Sequence, residues 1–136
     1  MPTEPPQSGS ESTTPDIRIA AETGFVRATY RGRLTYAYAT EMIRDAARIA
    51  MKAQRKRLLF DLREADYQGY YAETISHANE GPALGIDRTF RVAFLGAKDH
   101  ARMLRFIEDA TVNRGYTAKV FVDEAQALAW ISAAEA

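Results

Sequence analysis

From Asp16 onward, apolar and polar side chains alternate along the chain. The segments "DIRIAAE" and "FVRATYRGR" flank Thr23-Gly24, a spacing that predicts a β-hairpin. In that register Ile17, Ile19 and Ala21 share a face with Val26, Ala28 and Tyr30, while Arg18, Glu22, Arg27, Thr29 and Arg31 take the other. The period then changes. After Thr35, a suitable N-cap, Ala39, Met42, Ile43, Ala46, Ile49, Ala50 and Ala53 recur at helical spacing. "RLLFDLR" returns to period two, with Leu58, Phe60 and Leu62 opposed to Arg57, Leu59, Asp61 and Arg63. A loop containing Tyr67, Tyr70 and Tyr71 follows, and then a short helix in "AETISHANE" that Gly81-Pro82 stops. "FRVAFLG" is a strand with Phe90, Val92 and Phe94 inward. "KDHARMLRFIEDATVNRG" is a helix closed by Gly115, and "AKVFVD" is the last strand. Asp123 opens a final helix in the manner of a capping box, with Ala125, Leu128, Ala129 and Trp130 supplying apolar area.

This order predicts an α/β fold in which a β-hairpin is followed by sequential β-α units, giving a five-stranded, mostly parallel sheet. Strands buried on both faces read as nearly continuous apolar runs, whereas these carry charge at alternate positions. Helices are therefore expected mainly on one face. The other would present Arg18, Arg27, Arg31, Arg57, Asp61, Arg63, Arg91 and Lys119, interrupted by Leu59, Ala93, Leu95 and Phe121. This mixed face is one candidate site, with Arg27, Arg31 and Arg63 as its binding residues. The tyrosine loop is the other, because Tyr67, Tyr70 and Tyr71 combine apolar area with a polar tip and sit where parallel sheets gather binding residues. Packing of the same tyrosines over the helices is the alternative.

Composition narrows the chemistry. The 136 residues suffice for one domain, expected at 16–136, and the Pro-, Ser-, Thr- and Glu-rich residues 1–15 read as a flexible tail. Eighteen basic and eighteen acidic side chains give a formal net charge of zero, so nothing in bulk charge favours nucleic acid as a partner. Without cysteine and with only 2 histidines, neither thiolate catalysis nor a metal site is expected. No segment has membrane-spanning length, and the start lacks a secretory pattern, which points to the cytoplasm. No nucleotide-binding or zinc-protease motif calls for a cofactor. His77, with Glu73 and Glu80 at helical spacing, has the neighbours of a general base but no evident nucleophile, and reads as a surface histidine. Arg55-Lys56-Arg57 complements a helix C-terminus, and Asp99-His100 begins a helix.

Four segments, "LLFDLRE", "RVAFLG", "NRGYTAKVF" and "DEAQALAWI", resemble the SpoIIAA-like group of the STAS superfamily, relatives of bacterial anti-sigma factor antagonists, over roughly residues 16 to 132. The resemblance implies a β-α superhelix with one less covered sheet face. In the superfamily's best-known members an Asp-Ser-Ser-Gly-like segment follows the "DL" strand, and its phosphorylation controls partner binding. Here "QGYYAET" stands in that place, with no serine in register; Thr74 and Ser76 lie further on. The expectation is a noncatalytic regulatory domain that binds a protein partner or itself and lacks the phosphoacceptor serine. A carrier of an apolar or lipid-like small molecule, held in a groove near the tyrosine loop, is the alternative.

Overall fold

Gly24, at φ +88, turns the chain between β1 (Asp16–Ala21) and β2 (Val26–Arg33). The two run antiparallel with Ile17 opposite Tyr30, Ile19 opposite Ala28 and Ala21 opposite Val26, the register that the apolar alternation demands. This is a computed structural model, and it describes residues 14–67 and 69–133. Residues 1–13 of the expected tail and 134–136 of the expected domain lie outside them.

The Thr35 side chain caps α1 (Tyr36–Ala53) by accepting from the Tyr38 N–H at 3.2 Å. The buried stripe of α1 is mostly alanine, namely Ala39, Ala46, Ala47 and Ala50 with Met42, which lets the helix approach the sheet closely. The chain then enters β3 (Arg57–Asp66), which is longer than its apolar run predicts, and after a short connection forms α2 (Tyr71–Glu80). A 3-10 turn at Pro82–Leu84 leads to β4 (Arg91–Leu95). A second at Lys98–His100 leads into α3 (Ala101–Val112), and β5 (Thr117–Phe121) and α4 (Glu124–Ser132) complete the described chain.

The five strands are hydrogen-bonded in chain order, β1-β2-β3-β4-β5, with only the first pair antiparallel. Beneath one face α1, α2 and α3 bury Val26, Tyr30, Leu58, Phe60, Val92 and Leu104 in the larger core. The opposite face is not bare. There α4 lays Ala127 and Ile131 over Phe25, Leu59, Ala93, Leu95 and Phe121, making a second, smaller core. The expected arginine-rich face thus keeps its predicted side chains, but a helix crosses it.

Two details of α4 depart from the sequence reading. Ala125 and Ala129 are exposed, while Ala127 and Ile131 are buried, so the helix presents a stripe rotated from the expected one. Trp130 is only half-buried, its ring 5.7 Å from that of Phe121 and 4.8 Å below the Arg91 guanidinium. Asp123 does cap the helix, accepting from the N–H groups of Ala125 at 2.8 Å and Gln126 at 3.4 Å.

Candidate functional site

A β-bulge decides where the tyrosines go. Thr29 of β2 faces Asp61 of β3, but Arg31 faces Glu64, so β3 has one more residue than β2 over this interval. Before the bulge Leu58, Phe60 and Leu62 point toward the larger core; after it Ala65 and Tyr67 do. Arg63 and Glu64 both remain exposed. The extra residue inverts the side-chain parity, and Tyr67 turns inward to 1% exposure. Its ring meets His100 edge-on at 4.8 Å, and its hydroxyl fits against Gly96, where a β-carbon would lie 2.6 Å away. That hydroxyl is buried without a hydrogen-bond partner among the described residues, and burial pushes its pKa up to about 12.

Tyr70 is also buried, and it sets the start of α2 without a side-chain cap. Its hydroxyl lies 3.1 Å from His77 Nδ1 and 3.4 Å from the Thr35 carbonyl, while His77 Nε2 lies 2.8 Å from the Thr40 hydroxyl. The Tyr36 ring stacks on His77 at 4.6 Å and donates its own hydroxyl to Glu80. His77 is therefore no free surface histidine. Burial holds its pKa below the ordinary value, outweighing Glu80 and Glu73, so the neutral ring joins a tyrosine to a threonine. Of the three loop tyrosines only Tyr71 is exposed, at 43%, with its ring edge 4.8 Å from Phe106 of α3. Of the two candidate roles read from the sequence, inward packing thus falls to Tyr67 and Tyr70, and Tyr71 alone stands at the surface. The Thr74 hydroxyl is buried and donates to the Tyr70 carbonyl.

Between the sheet and α1, α2 and α3 lies a cavity of about 110 Å³. Phe60, Val92, Met42, Ile107 and the ring of Tyr70 contribute to its wall. A second, polar cleft of about 260 Å³ opens beside it among Arg33, Asp66, Gly69 and Glu73, and Leu34 and Tyr70 border both. The alternative read from the sequence was an apolar groove near the tyrosine loop, but no single element marks this cavity. Its walls come from three helices and two strands, each of which shows only the ordinary periodicity of a core.

The arginine candidates stand on the other face of the sheet, and the structure does not bring them together with the tyrosines. Arg27 donates to Asp61 and to Glu124, each at 2.8 Å. Arg63 reaches the same two carboxylates, at 2.7 Å to Asp61 and 3.4 Å to Glu124. Burial alone would raise the Asp61 pKa, yet hydrogen bonds from Arg63 and Arg27 outweigh it and hold the carboxyl below its ordinary value. Two cations and two anions close this network, which ties α4 to β2 and β3 and leaves little net charge for a partner. Arg31 stands apart, paired at the surface with Glu64 at 3.4 Å. Glu124, the residue that completes the network, went unnoticed in the sequence, where it reads as part of a helix start.

A family model described as SpoIIAA-like matches residues 25–132. Among solved structures the chain is similar to an anti-sigma factor antagonist from Mycobacterium paratuberculosis, with a TM-score of 0.55 at 11% identity over 87% of this chain and 94% of that one. It is also similar to an uncharacterised protein with a SpoIIAA-like fold from Shewanella loihica PV-4, with a TM-score of 0.52 at 20% identity over 86% and 93% of the two chains. At such identities the likeness is one of fold. No curated protein matches the sequence.

Proposed function

Because the chain belongs to the SpoIIAA-like family, we propose that it is a noncatalytic, cytoplasmic regulatory domain that binds a protein partner or a second copy of itself. The observation that carries this reading is the position of Tyr71. It is the one exposed tyrosine of the segment after β3, it opens α2, and it joins Phe106 in an aromatic patch at the carboxyl end of the sheet. Tyrosine at such a place serves as an anchor without great loss of rotamer freedom. Regulation by a phosphoserine at the start of α2 has no acceptor here in register, and Thr74 is buried with its hydroxyl engaged. Catalysis finds no support in the site, since both ring nitrogens of His77 have partners and neither partner is a carboxylate that would orient it as a base.

The test replaces Tyr71 by serine and compares the two proteins as bait in quantitative affinity purification from the source cell, together with their sedimentation. A partner or self-association held through Tyr71 should weaken by about 2 kcal/mol, roughly thirtyfold, while the thermal midpoint stays within about 2 °C. Unchanged retention of every enriched protein and an unchanged oligomeric state would remove Tyr71 from the interface.

The cavity beside Tyr70 supports a second reading, a carrier of a small apolar molecule. Native mass spectrometry of protein purified from its own cells separates the two. A carrier releases a bound small molecule on activation, whereas a binding module shows a discrete oligomer or a partner and an empty chain.

A further inference from the structure

We propose that the cavity under the sheet is a binding site for a neutral, apolar molecule about the size of a single ring, and that Tyr70 is its gate. The inference rests on the carrier reading and narrows it.

The polar atoms around the cavity are already engaged. The hydroxyls of Thr74, Thr111 and Tyr116 donate to the carbonyls of Tyr70, Ile107 and Ile86, and His77 has a partner at each ring nitrogen. Among the described residues, no Asp, Glu, Lys or Arg lines it. A buried water needs about 2 to 4 hydrogen bonds, and these walls have no free group with which to hold one. A charged ligand would lose its hydration with nothing in return. What remains is an apolar occupant. Size narrows the class: an engineered apolar cavity of about 150 Å³ takes benzene, and the volume here is about 110 Å³. A long acyl chain exceeds it severalfold. A single ring fits if Met42 and Ile43, unbranched and half-buried respectively, yield slightly.

A ligand needs a way in. Leu34 and Tyr70 form the partition between the cavity and the polar cleft. The Tyr70 ring is held by contacts of 3.1 Å to His77 and 3.4 Å to the Thr35 carbonyl, and it follows Gly69, whose φ of +77 gives the connection a conformation few residues adopt. Swinging the Tyr70 side chain aside widens the passage between the cavity and the cleft.

The full-length protein is titrated with benzene and followed by thermal unfolding and by methyl NMR. Binding should raise the midpoint progressively with ligand concentration, and the shifts should concentrate on Met42, Ile43 and Ile107. Ala78→Leu, which grows into the cavity, should abolish the response. Should that variant not fold, Val92→Ile, which adds one methyl, should weaken binding severalfold. Tyr70→Phe removes the latch and should speed ligand exchange at least about threefold with the same methyls perturbed. Benzoate should not bind. The proposal is overturned by a wild type that fails to respond to benzene, by a cavity-filling variant that folds and responds equally, or by benzoate binding as well as benzene. Unchanged exchange in Tyr70→Phe would overturn the gate. A protein that takes benzene but leaves cells empty keeps the site and refutes the carrier reading; one that leaves cells loaded yet ignores benzene does the reverse.

Discussion

His77 shows how a single side chain changes character on folding. In the unfolded chain it titrates near 6.5, and in the folded protein burial lowers that value. Between the two the unfolded state binds the extra proton, so the contribution of His77 to stability is complete above about pH 6.5 and is lost as the pH falls toward the folded value. The midpoint of thermal unfolding should therefore fall between about pH 7 and pH 5, before the carboxylates protonate. In His77→Gln that part of the slope should vanish, although the variant starts less stable because the contacts to Thr40 and Tyr70 are weakened. An unaltered slope in the variant, measured by calorimetry across this range, would assign the effect elsewhere. Asp61 acts in a lower window: its pKa is depressed, so its contribution is present above the ordinary carboxylate value of 3.8 and is lost below it. The sequence showed both residues but neither role, because the partners lie far away along the chain. Thr40 is separated from His77 by 37 positions, and Arg27 from Asp61 by 34.

At the level of elements, most of the fold was legible. Thr23-Gly24, Thr35, Gly81-Pro82 and Asp123 mark turns, caps and stops by local chemistry, and local chemistry is what a sequence displays. The bulge in β3 was not legible. It has no composition of its own, and a reading that keeps strict alternation past Leu62 sends Tyr67 to the wrong face. The stripe of α4 was misread for a related reason: over nine residues of nearly uniform small and apolar side chains, periodicity has little contrast. The consequence can be measured. Ile131 is fully buried, so Ile131→Ala should cost about 2 to 5 kcal/mol, near the range for a deleted core side chain. Trp130→Ala should cost less than the roughly 3 to 5 kcal/mol of a buried aromatic, because its side chain is only partly buried. Denaturant titration of both variants ranks them, and a larger loss for Trp130 would reverse the assignment of the helix face.

For the molecule as a whole, the division of labour between the two faces is unequal. Three helices share the larger core, while one helix of nine residues covers Leu59, Ala93 and Leu95, each at 0% exposure. A chain ended after Val122 should keep the hairpin and the three-helix side but uncover an apolar surface, and it should bind a hydrophobic dye and self-associate in sedimentation. Monomeric behaviour without dye binding would mean that the second core is dispensable. The same arrangement has a meaning in time. Because the strands pair in chain order, a growing chain can add each to the one before it as it leaves the ribosome, at about 5 to 20 residues per second. The helix that covers the far face is translated after all five strands, so for about 0.5 to 2 s the nascent sheet stands with a greasy flank open to solvent. That interval, rather than the finished protein, is when a chaperone would find its binding site.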